Sequence, residues 1–166
     1  MERDGFERLC RDHYANVVRT AYLITGDPQE AHDLAQEAFA RAFARWATVS
    51  SLDRPEAWVH RVAANLAVSW WRRLRVRRSR PLPAPGFVEA PSVPDPALAE
   101  ALRQLSPAQR TAVVLRFYAD RSIEDVAEVL GKRPGTVRAL TSQGVARLRV
   151  LLKEHDNEEV RDDDTR

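Results

Sequence analysis

Apolar positions along this chain recur at intervals of three and four, the spacing that lines one face of an α-helix, and strand-like alternation is nearly absent. The first periodic stretch predicts a helix over about residues 3–25, with Phe6, Leu9, Tyr14, Val17, Val18 and Tyr22 inward and Gly26 ending it. The run Asp27-Pro28-Gln29-Glu30 starts a second helix. Asp27 is suited to capping the free N–H groups, Pro28 to the first turn and Glu30 to closing a capping box. This helix should reach about Trp46 and bury Leu34, Ala38, Phe39, Phe43 and Trp46. A loop over 47–54 follows, and a third helix starts at Pro55 and passes Trp71, with Trp58, Val62, Leu66 and Trp70 on one stripe.

The pattern then breaks. Six of the ten prolines lie between Pro81 and Pro96, a composition that reads as an extended linker without a core. Beyond it the helix-start signature recurs at Asp95-Pro96, at Ser106-Pro107-Ala108-Gln109 and at Ser122-Ile123-Glu124-Asp125, the last of these helices ending at Gly131. A final helix should begin near Pro134 and end near Lys153. The expected architecture is all-α: a helical domain over 1–76, a Pro/Arg-rich linker over 77–96, a helix-turn-helix domain over 97–153 and an acidic disordered tail over 154–166.

Charge changes this picture by its layout. The formal net charge is +2, but six arginines fall between Arg72 and Arg80, while residues 154–166 hold seven carboxylates. Of 26 basic residues, 24 are Arg, the side chain that forks onto phosphates and base edges, although the codon composition of a GC-rich genome accounts for the same bias. A single cysteine, Cys10, on an apolar helical stripe, excludes an internal disulfide and a cysteine zinc site. No apolar run approaches the roughly 20 residues that span a bilayer. With Glu2 and Asp4 and no apolar leader core near the start, a cytoplasmic protein without membrane insertion is expected. Phosphate loops, dinucleotide fingerprints and H-E-x-x-H are absent and His13, His32, His60 and His155 are scattered, so no catalytic residue, metal or cofactor is expected.

The strongest local motif lies between Ser122 and Arg149: a short helix with Val126, Ala127 and Leu130 inward, a turn at Gly131, and a longer helix. Gly131 suits the left-handed conformation of such a turn. In this motif the second helix enters the major groove by its N-terminal end. Thr136, Arg138, Ala139, Thr141, Ser142 and Gln143 lie nearest that end. Arg138 can bond guanine or phosphate and Gln143 adenine, and Arg133, Arg147 and Arg149 suit phosphates. An ordinary helical hairpin with a wet face fits the same pattern. In the first domain Asp33, Gln36 and Glu37 lie off the buried stripe, and Arg61 and Asn65 share a face of the third helix. Either set reads equally as solvated surface.

Three segments narrow the choice: A-Y-L-I-T-G-D-P-Q-E-A-H-D-L-A-Q-E-A-F at 21–39, P-E-A-W-V-H-R-V-A-A-N-L-A-V-S-W-W-R-R at 55–73, and L-S-P-A-Q-R-T-A-V-V-L-R-F-Y-A-D at 105–120, followed by Gly135-Thr136-Val137. In this order they resemble the extracytoplasmic-function sigma factors, within them the sigma-E-like group common in actinobacteria. The resemblance implies that Asp33, Gln36 and Glu37 dock on the β′ clamp coiled coil of core RNA polymerase. It implies that the loop with Ser50, Ser51 and Asp53 captures a flipped base of the −10 element, and that Arg61 and Asn65 contact −10 DNA. It also implies that the second domain holds the β flap and reads the −35 element through Arg133, Thr136, Arg138, Ala139, Thr141, Ser142, Gln143 and Arg147. An anti-sigma factor is a common partner in such a family. The chain departs from the family pattern where Leu140 takes a commonly polar position and Gln143 replaces a common Arg. Gly144 inside the helix costs about 1 kcal/mol relative to Ala. The alternatives are a stand-alone helix-turn-helix regulator and a polymerase-binding protein that never touches promoters.

Overall fold

The computed structural model describes residues 2–76, 89–93 and 95–163, with side chains over 4–74, 89–93 and 95–155. The chain divides into two units, Met1–Ser92 and Val93–Arg166, and the described residues are helical with no strand. Residues 77–88 and Pro94, most of the expected linker, lie outside the described residues.

The first unit comprises α1 (Glu2–Thr25), α2 (Pro28–Ala44), a single helical turn α3 (Trp46–Val49) and α4 (Pro55–Val76). Asp27 caps α2 as expected, accepting from the Glu30 backbone N–H at 3.0 Å. Glu30 does not close the box. Its carboxylate accepts instead from Trp70, and burial pushes it above the ordinary carboxylate range. Helices α1, α2 and α4 pack against one another around Val17, Val18, Ile24, Leu34, Val59 and a set of small residues. Ala21, Ala31, Ala35, Ala38, Ala42, Ala63 and Ala67 are buried. With so little side chain between them the helix axes come close, and the bulky residues are displaced to the flanks. That corrects two expectations. On α4 the inward stripe is Val59, Ala63, Ala67 and Val68, while Trp58, Val62, Leu66 and Trp70 are half-buried. Phe43 is 60% exposed, because the helix break at Arg45 turns Trp46 onto Phe6 and leaves Phe43 on the outside of that cluster. Cys10 is half-buried rather than core, and burial raises its thiol, which disfavours the reactive thiolate. The Trp71 indole donates to the Ile24 carbonyl at 3.0 Å and ties α4 to the end of α1. Arg19 donates to the Ser92 carbonyl at 2.7 Å and holds the last residues of this unit on α1.

The second unit comprises α5 (Pro96–Arg103), α6 (Pro107–Val113), a π-helical turn (Val114–Tyr118), α7 (Ile123–Leu130) and α8 (Pro134–Asp163). Short helices leave a large share of their backbone groups without intrahelical partners, so their ends decide whether they form. Asp95 caps α5, and Ser106 and Ser122 form reciprocal capping boxes with Gln109 and Asp125. Gly131 closes α7 in the left-handed region at φ 61°. The other end of α5 is closed by a residue from α6. Arg110 is buried, and its guanidinium donates to the carbonyls of Leu102 (2.8 Å), Arg103 (2.8 Å) and Leu105 (3.3 Å). The negative end of the helix dipole and these acceptors compensate a cation that has left water.

Two features of α8 differ from expectation. The helix continues to Asp163 instead of ending near Lys153, since no Gly or Pro interrupts the sequence after Gly144; a disordered 154–166 tail is therefore corrected over 154–163, and 164–166 lie outside the described residues. Gly144 is required by packing. A Cβ there would lie 2.7 Å from Val113 Cγ2 and 3.5 Å from the Gln109 carbonyl oxygen, so the glycine lets α6 approach α8 closely.

Candidate nucleic-acid and polymerase interface

In α2 the buried residues Leu34, Ala35, Ala38 and Phe39 leave Asp33, Gln36 and Glu37 together on the outer face, all three exposed. Their geometry is set one turn away. Gln29 donates to Asp33 at 2.9 Å, and Arg41 pairs with Glu37 at 2.7 Å. Both partners of the latter pair are half-exposed, so the bond orders the carboxylate more than it stabilises the helix. The result is a pre-ordered acidic and amide face able to accept hydrogen bonds from a basic partner.

The expected 47–54 loop is partly helical: α3 takes its first residues, and Ser50, Ser51 and Asp53 lie exposed beyond it. The Ser51 hydroxyl donates to the Thr48 carbonyl at 2.8 Å, and Leu52 stands 40% exposed between these polar side chains. The exit is fixed by Arg54, which bonds Glu56 at 3.0 Å. Burial works to raise the Glu56 carboxyl, but its own backbone N–H and Arg54 outweigh it and hold the group below the ordinary range. Arg61 and Asn65 are exposed one turn apart on α4. His60, beside them, turns inward to the buried Thr20 hydroxyl at 3.5 Å. Trp70 and Trp71, an edge-on pair at 5.0 Å, are both engaged inside the unit, with Glu30 and the Ile24 carbonyl. Arg72 and Arg73 are exposed, while the side chains of the remaining arginine run, 75–80, lie outside the described residues.

On α8, Val137, Gly144, Leu148 and Leu151 face the domain, and Leu140 and Val145 are half-buried. Arg133, Thr136, Arg138, Ala139, Ser142, Gln143 and Arg147 are exposed around the N-terminal half, with small side chains at Gly135, Ala139 and Ala146 between the arginines. Thr141 stands apart: it is half-buried, and its hydroxyl donates to the Val137 carbonyl at 2.8 Å. Gln143 is bridged to α6 by the Gln109 amide at 3.4 Å. Three contributors escaped sequence reasoning: Arg110, Gln109 and Gly144 as a packing residue. Gly144 gave a signal as a costly glycine in mid-helix, and Gln109 only as the last residue of a helix-start signature. Among the described residues, no group of three His, Cys, Asp or Glu side chains could hold a metal ion, and no helix is long and apolar enough to cross a membrane.

A three-helix unit with a polar outer face, followed by a capped helix-turn-helix unit, is the arrangement of two sigma-70 modules. Residues 9–77 match the sigma-70 region 2 family model and residues 96–148 match the sigma-70 region 4 model. The chain belongs to the sigma-70 family, in the extracytoplasmic-function group of RNA polymerase sigma factors. It is 34% identical over 160 residues to the RNA polymerase sigma-E factor of Streptomyces coelicolor, covering 91% of this chain and 88% of that protein. It is 30% identical over 155 residues to the ECF RNA polymerase sigma factor SigL of Mycobacterium tuberculosis, covering 88% of each. The fold is also similar to that of the sigma factor RpoE of Bartonella quintana, solved with the anti-sigma factor NepR, at a TM-score of 0.70 and 24% identity over 89% of this chain and 96% of that one.

Proposed function

We infer that this sigma factor directs core RNA polymerase to promoters through separate faces of its two units and holds the −10 element melted. The observation that carries this reading is the succession of the two sigma modules along one chain, with all their expected contact residues but Thr141 exposed. A stand-alone helix-turn-helix regulator needs no region 2 module and is not favoured.

In this reading Asp33, Gln36 and Glu37 dock on the β′ clamp coiled coil, and the second unit holds the β flap. Ser50, Ser51, Asp53, Arg61 and Asn65 contact the −10 strand. Flipping a base costs a few kcal/mol. Exposed Leu52, among hydroxyl and carboxylate groups, offers that base an apolar contact beside hydrogen bonds. Arg133 and Arg147 anchor on phosphates while Thr136, Arg138, Ala139, Ser142 and Gln143 meet base edges. Thr141 belongs to this set only as support, since its hydroxyl is spent on its own helix. The chain performs no chemistry of its own: nucleotide addition belongs to the polymerase, in the cytoplasm. An anti-sigma factor would silence it by covering these faces.

The test is run-off transcription with purified core polymerase. The chain should confer promoter-specific initiation that core enzyme alone lacks. Replacing Asp33 and Glu37 together by Ala should abolish holoenzyme formation with the helical content intact, and unchanged holoenzyme would remove the docking assignment. Asn65→Ala should impair open complexes more than closed ones, and equal loss in both would remove the melted-strand contact.

A further inference from the structure

We propose that Gln109 on α6 sets the base preference of Gln143 on α8 by fixing which end of its amide faces DNA, so that Gln143 reads as a hydrogen-bond donor. This rests on the reading of α8 as the −35 recognition helix.

One group in the cap has no choice of role. The Ser106 backbone N–H can only donate. It lies 3.4 Å from Gln109 Oε1 in the capping box, while the Ser106 hydroxyl accepts from the Gln109 backbone N–H at 3.2 Å. A side-chain amide has a donor end and an acceptor end. With Oε1 committed to Ser106, the opposite end that Gln109 turns to α8 is its NH2. That group reaches Gln143 at 3.4 Å, so the atom that meets it must be the acceptor, Oε1. The two orientations are thereby set by the backbone of a helix cap, in sequence from Ser106 to Gln109 to Gln143. The exposed Gln143 is left with its own NH2 pointing away from α6. Gly144, the next residue, is what permits the relay: the close approach it allows puts its Cβ position 3.6 Å from Gln109 Cβ, bringing the two amides within reach.

A free glutamine offers one donor and one acceptor and fits adenine, whose N7 accepts and N6 donates. A glutamine whose oxygen is held toward α6 turns chiefly its N–H to the groove. Guanine presents two acceptors, N7 and O6, and thymine presents O4, whereas cytosine presents only the N4 donor. The relay therefore favours guanine, then thymine, over adenine, with cytosine poorest, at the base pair beneath Gln143. This replaces the adenine pairing that the side chain alone suggests.

The experiment is open-complex formation by the full chain with core polymerase on promoters carrying each of the four bases at every −35 position. Gln143→Ala locates the position, by flattening the preference at one base pair. Gln109→Glu then inverts the relay: glutamate is as good a capping-box residue, but its carboxylate can only accept, so Gln143 must turn its NH2 inward and its oxygen outward. The ratio of guanine to cytosine promoters at that position should fall by about fivefold or more. Gln109→Met, which ends the relay without a charge, should move the preference to adenine. A base ranking identical in the native chain, Gln109→Glu and Gln109→Met, with all three melting alike, overturns the proposal. Arg138→Ala separates the two levels: if it and Gln143→Ala both leave −35 dependence intact, the reading of α8 fails and the relay with it. If Arg138→Ala abolishes that dependence while the Gln109 variants leave the ranking unmoved, the relay alone fails.

Discussion

The two units solve the same problem, presenting a rigid polar face, by different means. In the first, three long helices bury an alanine-rich interface, and its outward residues are ordered by pairs along one helix, Gln29 with Asp33 and Glu37 with Arg41. In the second, helices of 7 and 8 residues buttress α8, and polar end-caps carry much of the order: Asp95, Ser106, Ser122, Gly131 and the buried Arg110. Long helices satisfy most of their own backbone and gain from apolar burial, while short ones have proportionally more ends to satisfy. Damage should therefore come from cavities in the first unit and from lost polar contacts in the second.

The contrast can be broken experimentally because all four tryptophans, Trp46, Trp58, Trp70 and Trp71, belong to the first unit, so their fluorescence reports it while circular dichroism reports both. The largest effect is expected from Ile24→Ala, at a fully buried position of the first unit: about 3–4 kcal/mol lost, seen as an earlier fluorescence transition in urea. Next comes Arg110→Met, which keeps an unbranched apolar stem but strands three carbonyls. It should cost about 2–3 kcal/mol, moving the dichroism transition and sparing the fluorescence one. If both probes shift together, the units do not unfold separately.

Gly144→Ala sharpens the comparison. Helix propensity alone predicts a gain of about 1 kcal/mol, but the added methyl meets Val113, a buried branched side chain with little freedom to turn. A net loss of about 1–2 kcal/mol is expected in the second unit. Stabilisation would mean that α6 does not hold α8 at this distance.

The smallest effect concerns pH. Glu30 is raised in the folded state, chiefly by burial, so the folded chain holds its proton to higher pH than the unfolded one. Its contribution favours the first unit below the ordinary carboxylate pKa and is lost as pH rises through the raised value. Glu30→Gln should flatten that loss slightly, because the group is only partly shielded from water. A fluorescence-detected urea midpoint with the same pH slope in both proteins would rule this out.

Much of the architecture was legible in the residues. Pro28, Pro55, Pro96, Pro107 and Pro134 each open a helix, and Asp27, Asp95, Ser106 and Ser122 cap one, because capping chemistry acts within four residues of its own sequence. Gly131 was legible for the same reason. The outward placement of Asp33, Gln36, Glu37, Arg61, Asn65 and Arg138 also followed from helical spacing alone. What spacing could not weigh was the size of the facing partner. The large aromatics of α4 lost the central seam to alanines, since two small-residue faces approach more closely than a tryptophan allows.

The sequence by itself determined where most helices start and which motifs succeed one another, because those signals are local. The tertiary structure alone decided that Arg110 closes a helix it does not belong to, that Gly144 is a point of contact, and that Gln143 is met by Gln109. Each of these joins groups from different elements, and in a chain not yet folded their proximity does not exist to be read.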